Sequence, residues 1–275
     1  MNPLFRRKED SPRDELEETQ APPARVSAPA GAGDLPIDEQ PVQTLPTVTD
    51  TGDVSFDELR TGFTAAVSHE LRTPLARILV LLDSADLPDA DVPALIDHAR
   101  AEVEHAGSLI DEILFLSELE SGKEVVSLGH TNALPVLEQV VEELGNQAAR
   151  AGLTLKAEGD ANVDLPLRPR MLRILAENLA ENAIRYAGHG ATFSLSVERN
   201  GTTTMLAGTD DGIGVSEADL HRLFQRFWRA DAARASRGTG LGLAIVKHVV
   251  AAAGGTVEAS GARGHGLQVR CIFPG

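Results

Sequence analysis

Residues 68–75 read Ser-His-Glu-Leu-Arg-Thr-Pro-Leu, and the apolar residues around them recur at the spacing of an amphipathic helix. Because Pro74 has no N–H to donate to the carbonyl oxygen of Glu70, we expect this helix to bend just after His69. A bend presents the histidine to a partner, and Glu70 can orient its imidazole or act on it as a general base. Thr73 lies one turn further along the same face. The alternative is an ordinary solvated helix face, and motifs elsewhere in the chain are needed to choose between a reactive histidine and such a face.

Two helices are predicted in this part of the chain. The first covers residues 56–84, and the second runs from a turn at 86–91 to about Ser121, with Asp91 as its N-cap. Each helix carries an apolar stripe, and a helical hairpin cannot bury two such stripes by itself. We therefore expect two copies of the chain to form a four-helix bundle.

The second half of the sequence changes to shorter elements. Asn200-Gly201 between two of the predicted strands is a strong hairpin turn. The prediction is an α+β sandwich with its helices on one face of the sheet. Its helices are expected at 132–151, 169–187 and 241–253, and its strands at about 124–128, 153–158, 191–199, 202–209, 255–260 and 266–273.

The composition limits the classes of protein to which this chain can belong. Its formal net charge of −16 argues against a nucleic-acid-binding surface. No apolar run approaches the ~20 residues that span a bilayer, so we expect no transmembrane segment. A single cysteine, Cys271, suits a reducing cytoplasm. Residues 1–54 hold eight of the fifteen prolines, many acids and scarcely any aromatic residues, which predicts a disordered tail.

Three clusters in the second half contain residues suited to a nucleotide. In the first, Asn178 and Asn182 stand four residues apart on one helix face, where their amide oxygens could ligate Mg²⁺. Arg185 and Tyr186 fall beside that face and can meet a phosphate group and a ring. The alternative is a solvated face with a Glu181–Arg185 ion pair.

The second cluster is Thr-Asp-Asp-Gly-Ile-Gly at residues 209–214, at the end of a predicted strand. A fixed carboxylate there can accept a hydrogen bond from an exocyclic amine such as adenine N6. Gly212 and Gly214 let the backbone turn and approach the ring. Asp-Gly is also an ordinary turn signal.

The third cluster is Arg-Gly-Thr-Gly-Leu-Gly-Leu-Ala at residues 237–244, which runs into a helix whose free N–H groups favour phosphate oxygens. It is not a dinucleotide-binding fingerprint, because no strand leads directly into it. Phe224 and Phe227 precede it and indicate an apolar hinge under a mobile lid, although ordinary packing of the two rings is compatible with this. Arg229 or Arg234 can serve a terminal phosphate.

In their order along the chain, these motifs resemble those of the sensor histidine kinases of bacterial two-component systems. They are His-Glu-Leu-Arg-Thr-Pro-Leu, Asn-Leu-Ala-Glu-Asn-Ala, Asp-Asp-Gly-Ile-Gly, Phe-x-x-Phe and Gly-Thr-Gly-Leu-Gly-Leu-Ala. The resemblance covers roughly residues 56–273. It implies a tail at 1–54, a dimerisation and histidine phosphotransfer domain at 55–122, and an ATP-binding domain of the Bergerat type at 123–275.

The resemblance implies an ATP-dependent protein-histidine kinase. His69 would attack the γ-phosphate of ATP with help from Glu70, and the phosphoryl group would pass to an aspartate of a response regulator receiver domain. Thr73 would orient water to dephosphorylate that regulator. Asn182 would hold Mg²⁺, and Asp210 would read the adenine. The other residues implied in the ATP site are Asn178, Arg185, Tyr186, Gly212, Gly214, Phe224, Phe227, Arg229, Gly238, Thr239, Gly240, Leu241 and Gly242.

Two other functions stay open from the sequence: a dimeric ATP-binding scaffold, and a regulator in which phosphatase activity dominates. Chaperones and gyrase-like ATPases of the same fold are disfavoured, because they have no use for a histidine-bearing bundle. Membrane-bound relatives carry transmembrane and sensor segments before the first bundle helix, where this chain has about fifty residues of tail. The signal is therefore expected from a sensor partner, or the chain is a piece of a longer protein.

Overall fold

The computed structural model describes residues 47–50, 56–121, 129–230 and 238–275. The predicted strand at 124–128, Arg234 and residues 1–46 of the predicted tail lie outside these ranges. In chain order the elements are β1 (Thr47–Asp50), α1 (Phe56–Ala85), α2 (Val92–Glu120), β2 (Thr131–Asn132), α3 (Ala133–Ala151), β3 (Thr154–Gly159), β4 (Asp164–Leu165), α4 (Pro169–Tyr186), β5 (Thr192–Asn200), β6 (Thr203–Asp210), α5 (Glu217–Leu220), α6 (Gly242–Ala252), β7 (Thr256–Gly261) and β8 (Leu267–Pro274).

Helices α1 and α2 pack against each other, and together they are called the hairpin below. The second helix begins as predicted, because the Asp91 carboxylate accepts a hydrogen bond from the Ala94 N–H at 3.2 Å. The first helix continues through Pro74. One residue before the proline, the Thr73 hydroxyl donates to the carbonyl oxygen of His69 at 3.3 Å.

The hairpin leaves one apolar face uncovered. On α1, Leu79 and Val80 are each 62% exposed. On α2, Val103 is 56% and Leu114 is 57% exposed. Together with Ile110 these α2 residues lie on one side of the helix. A single hairpin therefore leaves an apolar surface of the kind that needs a second helical layer to become buried.

The remaining elements form the sandwich, a six-stranded sheet that carries α3, α4 and α6 on one face. The strand order is β1-β7-β8-β6-β5-β3, and every described pairing is antiparallel except that of β3 with β5. Strands β5 and β6 are joined at Asn200-Gly201, as predicted. The first six residues of β5 alternate between half-buried and buried, so every second side chain there faces the helices. The largest fully buried side chains of this layer include Leu137, Leu165, Leu172, Leu175, Leu195, Leu206 and Phe273.

Three short features differ from the sequence-based expectations. Thr47–Asp50 form strand β1, although they fall in the segment expected to be disordered. Their β-branched residues favour a strand, and pairing with β7 covers what would otherwise be an open sheet edge. The two-residue pair of β2 and β4 and the single-turn helix α5 were not predicted, because elements of two to four residues are too short to show a periodicity.

Candidate functional site

The predicted phosphoacceptor, His69, is exposed on α1 and borders an open pocket of about 650 Å³ between the two helices of the hairpin. Thr73 borders the same pocket, as the helical spacing predicted. Glu70 is half-buried, and in the part of the chain that the structure describes its carboxylate makes no hydrogen bond to the His69 imidazole. The other side chains around the pocket are Arg72, Ala76, Arg77, Val80, Leu81, His98 and Glu102.

Helix α4 brings the first nucleotide cluster next to the third. The Asn178 side chain donates to the carbonyl oxygen of Ile174 at 2.8 Å, which turns its Oδ1 toward the start of α6. A Cβ placed on Gly242 would lie only 2.7 Å from that oxygen. Asn182, one turn further along α4, is half-buried. Asn178 therefore lies beside the glycine-rich loop, and Asn182 lies one helical turn further on the same face of α4.

The end of α4 faces the same loop. A Cβ placed on Gly238 would lie 2.7 Å from the hydroxyl oxygen of Tyr186 and 3.8 Å from Cδ of Arg185. Glycine at position 238 thus leaves room beside both side chains. The Arg185 guanidinium bonds to Glu181 at 2.6 Å, so the surface ion pair that was the alternative explanation for this face is present.

The two neighbouring aspartates at the end of β6 have different environments. Asp210 is 8% exposed, and its carboxylate accepts a hydrogen bond from the Gly212 N–H at 2.9 Å. Burial raises the pKa of Asp210 despite backbone hydrogen bonds from Gly212 and Leu267. The Asp211 carboxylate instead accepts the Thr192 N–H at 2.6 Å, which ties it to the start of β5. Asp210 is therefore the better candidate for accepting a hydrogen bond from the amine of a nucleotide base.

The glycines that follow Asp210 sit at close backbone contacts. A Cβ on Gly212 would lie 2.7 Å from the carbonyl carbon of Ala187 at the end of α4. Gly214 has φ of +61°, a left-handed conformation that favours glycine. Ile213 between them is 62% exposed, and sequence reasoning did not single it out. An exposed apolar side chain beside a buried carboxylate suits the face of a base, and its position between two glycines was the available signal.

The two phenylalanines before the loop behave differently. Phe224 is 3% exposed and packs in the core, as the ordinary-packing alternative predicted. Phe227 is half-buried with φ of +59°, and its N–H donates to the carbonyl oxygen of Gly240 at 2.9 Å. This bond ties Phe227 to the glycine-rich loop. Arg229 is half-buried within that segment.

Thr239 is the loop residue that contacts the hairpin. Its hydroxyl donates to the Glu112 carboxylate of α2 at 2.5 Å and accepts the Leu241 N–H at 3.2 Å. Leu241, also predicted for the ATP site, is fully buried and packs in the core. Glu112 escaped the sequence analysis because 127 residues separate it from Thr239 and no local pattern links them.

The assembled residues fit a magnesium nucleotide. Among the described residues, no cluster of three or more histidine, cysteine, aspartate or glutamate side chains is arranged to hold a metal ion. An ion at Asn182 would therefore take an amide oxygen from the protein and its other ligands from phosphates and water, as Mg²⁺ readily does. Glycines at 238 and 242 leave open the space that a Cβ would fill beside Tyr186 and Asn178.

Comparison with known protein families matches both parts of the structure. Residues 59–122 match the His Kinase A (phospho-acceptor) domain, and residues 167–275 match the histidine kinase-, DNA gyrase B-, and HSP90-like ATPase. The chain belongs to the sensor histidine kinases of bacterial two-component systems. The motifs that carry the resemblance lie within these two ranges.

Individual histidine kinases agree with this assignment. Sensor-like histidine kinase SenX3 of Mycolicibacterium smegmatis is 34% identical over 225 residues, which is 80% of this chain and 58% of the relative. The solved structure of Acinetobacter baumannii histidine kinase AdeS has a TM-score of 0.62 at 25% identity, over 75% of this chain and 97% of that one. Full-length ShkA in complex with AMPPNP has a TM-score of 0.59 at 26% identity, over 80% of this chain and 46% of that one.

This chain thus spans a little over half the length of the curated histidine kinase relatives named SenX3. Across the described residues, every helix is too short or too polar to cross a bilayer.

Proposed function

We propose that the chain is an ATP-dependent protein-histidine kinase that phosphorylates its own His69. The observation that carries this proposal is that the glycine-rich loop, packed against Asn178 and Tyr186 of α4, lies beside α2 of the hairpin that exposes His69. Arg77 of α1 pairs with Glu102 of α2 at 3.6 Å, so in the hairpin His69, eight residues before Arg77, lies roughly opposite residue 110. The loop therefore contacts α2 close to the level of the histidine.

ATP binding is proposed from the chemistry of the side chains and backbone N–H groups around Asp210, α4 and the glycine-rich loop. Asp210 would accept the adenine amine, and Ile213 would cover the base. The N–H groups at the start of α6 would bind phosphate oxygens. The family match to an ATPase supports this assignment. Tyr186, Asn178, Arg229 and the glycines at 214, 238, 240 and 242 would complete the site.

Phosphoryl transfer follows from these positions. The imidazole nitrogen of His69 would form a bond to the γ-phosphorus as the bond to the β–γ bridging oxygen breaks and ADP leaves. The imidazole proton would pass to Glu70 or to water. Mg²⁺, held by Asn182, supplies neutralisation of the phosphate charges when it is bound. The chain's own contribution is to align the donor and the acceptor.

The partners are part of the same proposal. A second copy of the chain would cover the apolar faces of α1 and α2, giving a bundle formed by a domain at 55–122, with the ATP-binding domain at 123–275. The phosphohistidine would pass its phosphoryl group to an aspartate of a response regulator receiver domain in the cytoplasm.

The test is incubation of the purified chain with γ-labelled ATP and Mg²⁺. We expect acid-labile, alkali-stable label that is lost in His69→Ala and Asn182→Ala. His98 borders the same pocket as His69 and is likewise exposed, so His98→Ala is the matched control and should keep the label. Label that persists in His69→Ala would refute the assignment of the phosphoacceptor. Nucleotide binding without any label would favour the scaffold function.

A second activity is supported by Thr73, whose hydroxyl lies beside the pocket that His69 borders. We propose that it orients water for dephosphorylation of the regulator. Thr73→Ala should slow release of phosphate from a phosphorylated receiver domain. Ser108→Ala is the matched control, because the Ser108 hydroxyl makes the same kind of bond to the carbonyl four residues back, at 3.1 Å, on α2. Equal rates in the two variants would contradict this role.

A further inference from the structure

The hairpin contacts the sandwich through a carboxylate at the proposed phosphate end of the nucleotide site. Glu112 accepts the Thr239 hydroxyl at 2.5 Å, and Thr239 is 8% exposed. Burial raises the pKa of the Glu112 carboxyl, while Arg185 nearby lowers it and Glu181 raises it further. The carboxylate is therefore close to the charged residues of α4 as well as to the loop.

The face of α2 that carries Glu112 is separate from the face left uncovered for a second copy. Leu116 and Leu119 follow Glu112 at helical spacing and are 1% and 7% exposed, whereas Ile110 and Leu114 on the opposite side are exposed. The contact of Glu112 with the loop could therefore form or break while a second copy of the chain covered the apolar face of the hairpin.

Two further contacts hold α2 against the sandwich. The Arg226 guanidinium bonds to the Glu120 carboxylate, and His248 of α6 lies 3.2 Å from the same carboxylate. The Arg170 guanidinium lies 5.9 Å from the ring centroid of Phe115. All of these α2 residues lie within two and a half turns of Glu112, so they keep its carboxylate at the loop.

We propose that Glu112 competes with the phosphates of ATP for the glycine-rich loop, so that docking of α2 and binding of ATP oppose each other. This inference rests on the proposed function. A carboxylate and a triphosphate are both anions, and close approach of like charges is unfavourable in a partly buried site. Both would also use donors of the same loop, such as the Thr239 hydroxyl.

The opposition has a reciprocal consequence. ATP that enters the site drives Glu112 away, and this loosens α2 from the sandwich. By the same linkage, a signal that moves α2 raises the affinity for ATP by an equal factor. The hairpin thereby restrains the kinase until either event frees the loop.

The test compares affinities of purified full-length chains for Mg-AMPPNP and for adenosine by calorimetry. Glu112→Ala should bind Mg-AMPPNP about tenfold more tightly than the wild type, within the range typical of coupled sites. Adenosine carries no phosphate, so its affinity should stay within about twofold, which also shows that the variant is folded. Glu118→Ala is the matched control, because Glu118 is exposed on the same helix and should leave both affinities unchanged.

The outcomes separate this inference from the proposed function. Equal affinity of wild type and Glu112→Ala for Mg-AMPPNP would overturn the competition while leaving ATP binding intact. An equal gain for adenosine would also overturn it, because the effect would then not depend on phosphate. A failure of every variant to bind Mg-AMPPNP would remove the proposed function itself, and the competition with it.

Discussion

Substitution of Gly212 by alanine tests whether the close backbone packing beside Asp210 is required. The new Cβ would lie 2.7 Å from the carbonyl carbon and 2.8 Å from Cα of Ala187. These are backbone atoms, and the same Ala187 carbonyl accepts the Ile213 N–H at 2.9 Å, so no rotamer change can relieve the clash. Overpacking of this kind costs about 1–3 kcal/mol. Taking about 2 kcal/mol, the melting temperature should fall by about 4–8 °C.

Gly145→Ala is the matched control. Gly145 lies inside α3 with no atom within 4 Å of an added Cβ. Alanine there should raise stability by about 0.5–1 kcal/mol, because glycine is a poor helix former. The assay is calorimetric melting of the two variants and the wild type, with Mg-AMPPNP binding measured alongside. The two substitutions should move the melting temperature in opposite directions, and only Gly212→Ala should weaken nucleotide binding. A Gly212→Ala chain that melts at or above the wild-type temperature would refute the packing argument.

Three further results are expected. Leu79→Glu should shift the chain from dimer to monomer in light scattering. Leu87→Glu should not, because Leu87 is equally exposed at 62% but lies in the turn. A Leu79→Glu chain that stays dimeric would exclude the apolar face of the hairpin as the dimer interface. The Cys271 thiol is fully buried, and burial raises its pKa. It should therefore react with a thiol reagent about a hundredfold or more slowly in the native chain than in the urea-unfolded chain. Rapid reaction of the native chain would contradict this. Because the pKa of Asp210 is raised, its stabilising contribution is complete below about pH 4 and is lost as the pH rises through the raised value. The melting temperature of Asp210→Asn, relative to that of the wild type, should therefore rise by a few degrees between about pH 4 and about pH 7. A difference that does not change with pH would argue against the raised pKa of Asp210.

The longer elements were predictable because their side-chain patterns are local. Helix α1 was expected at 56–84 and extends over Phe56–Ala85, since a 30-residue amphipathic segment repeats its apolar spacing many times. The start of α2 followed from Asp91, whose side chain can cap only the turn next to it. Strands β5 and β6 followed from alternation on either side of Asn200-Gly201.

The parts that escaped prediction depend on residues far apart in the chain. Strand β1 exists because β7 offers it an edge, and these two segments are more than two hundred residues apart. Glu112 meets Thr239 only after the hairpin and the sandwich have packed together. The motif at 209–214 did not by itself separate Asp210 from Asp211, and only the resemblance assigned the adenine to Asp210; the hydrogen bond from the Thr192 N–H to Asp211 joins residues 19 positions apart. Strand pairing and the docking of the hairpin are tertiary events without a local signature.

Strand β1 also bears on how force would travel through the molecule. It precedes α1 in the chain but lies in the sheet of the sandwich, bonded to β7 over four residue pairs. A pull on the polypeptide ahead of Thr47 therefore loads the hydrogen bonds between β1 and β7 before it loads α1. While those hydrogen bonds hold, the sheet bears the tension. Only after β1 detaches from β7 can the tension reach the helix that carries His69.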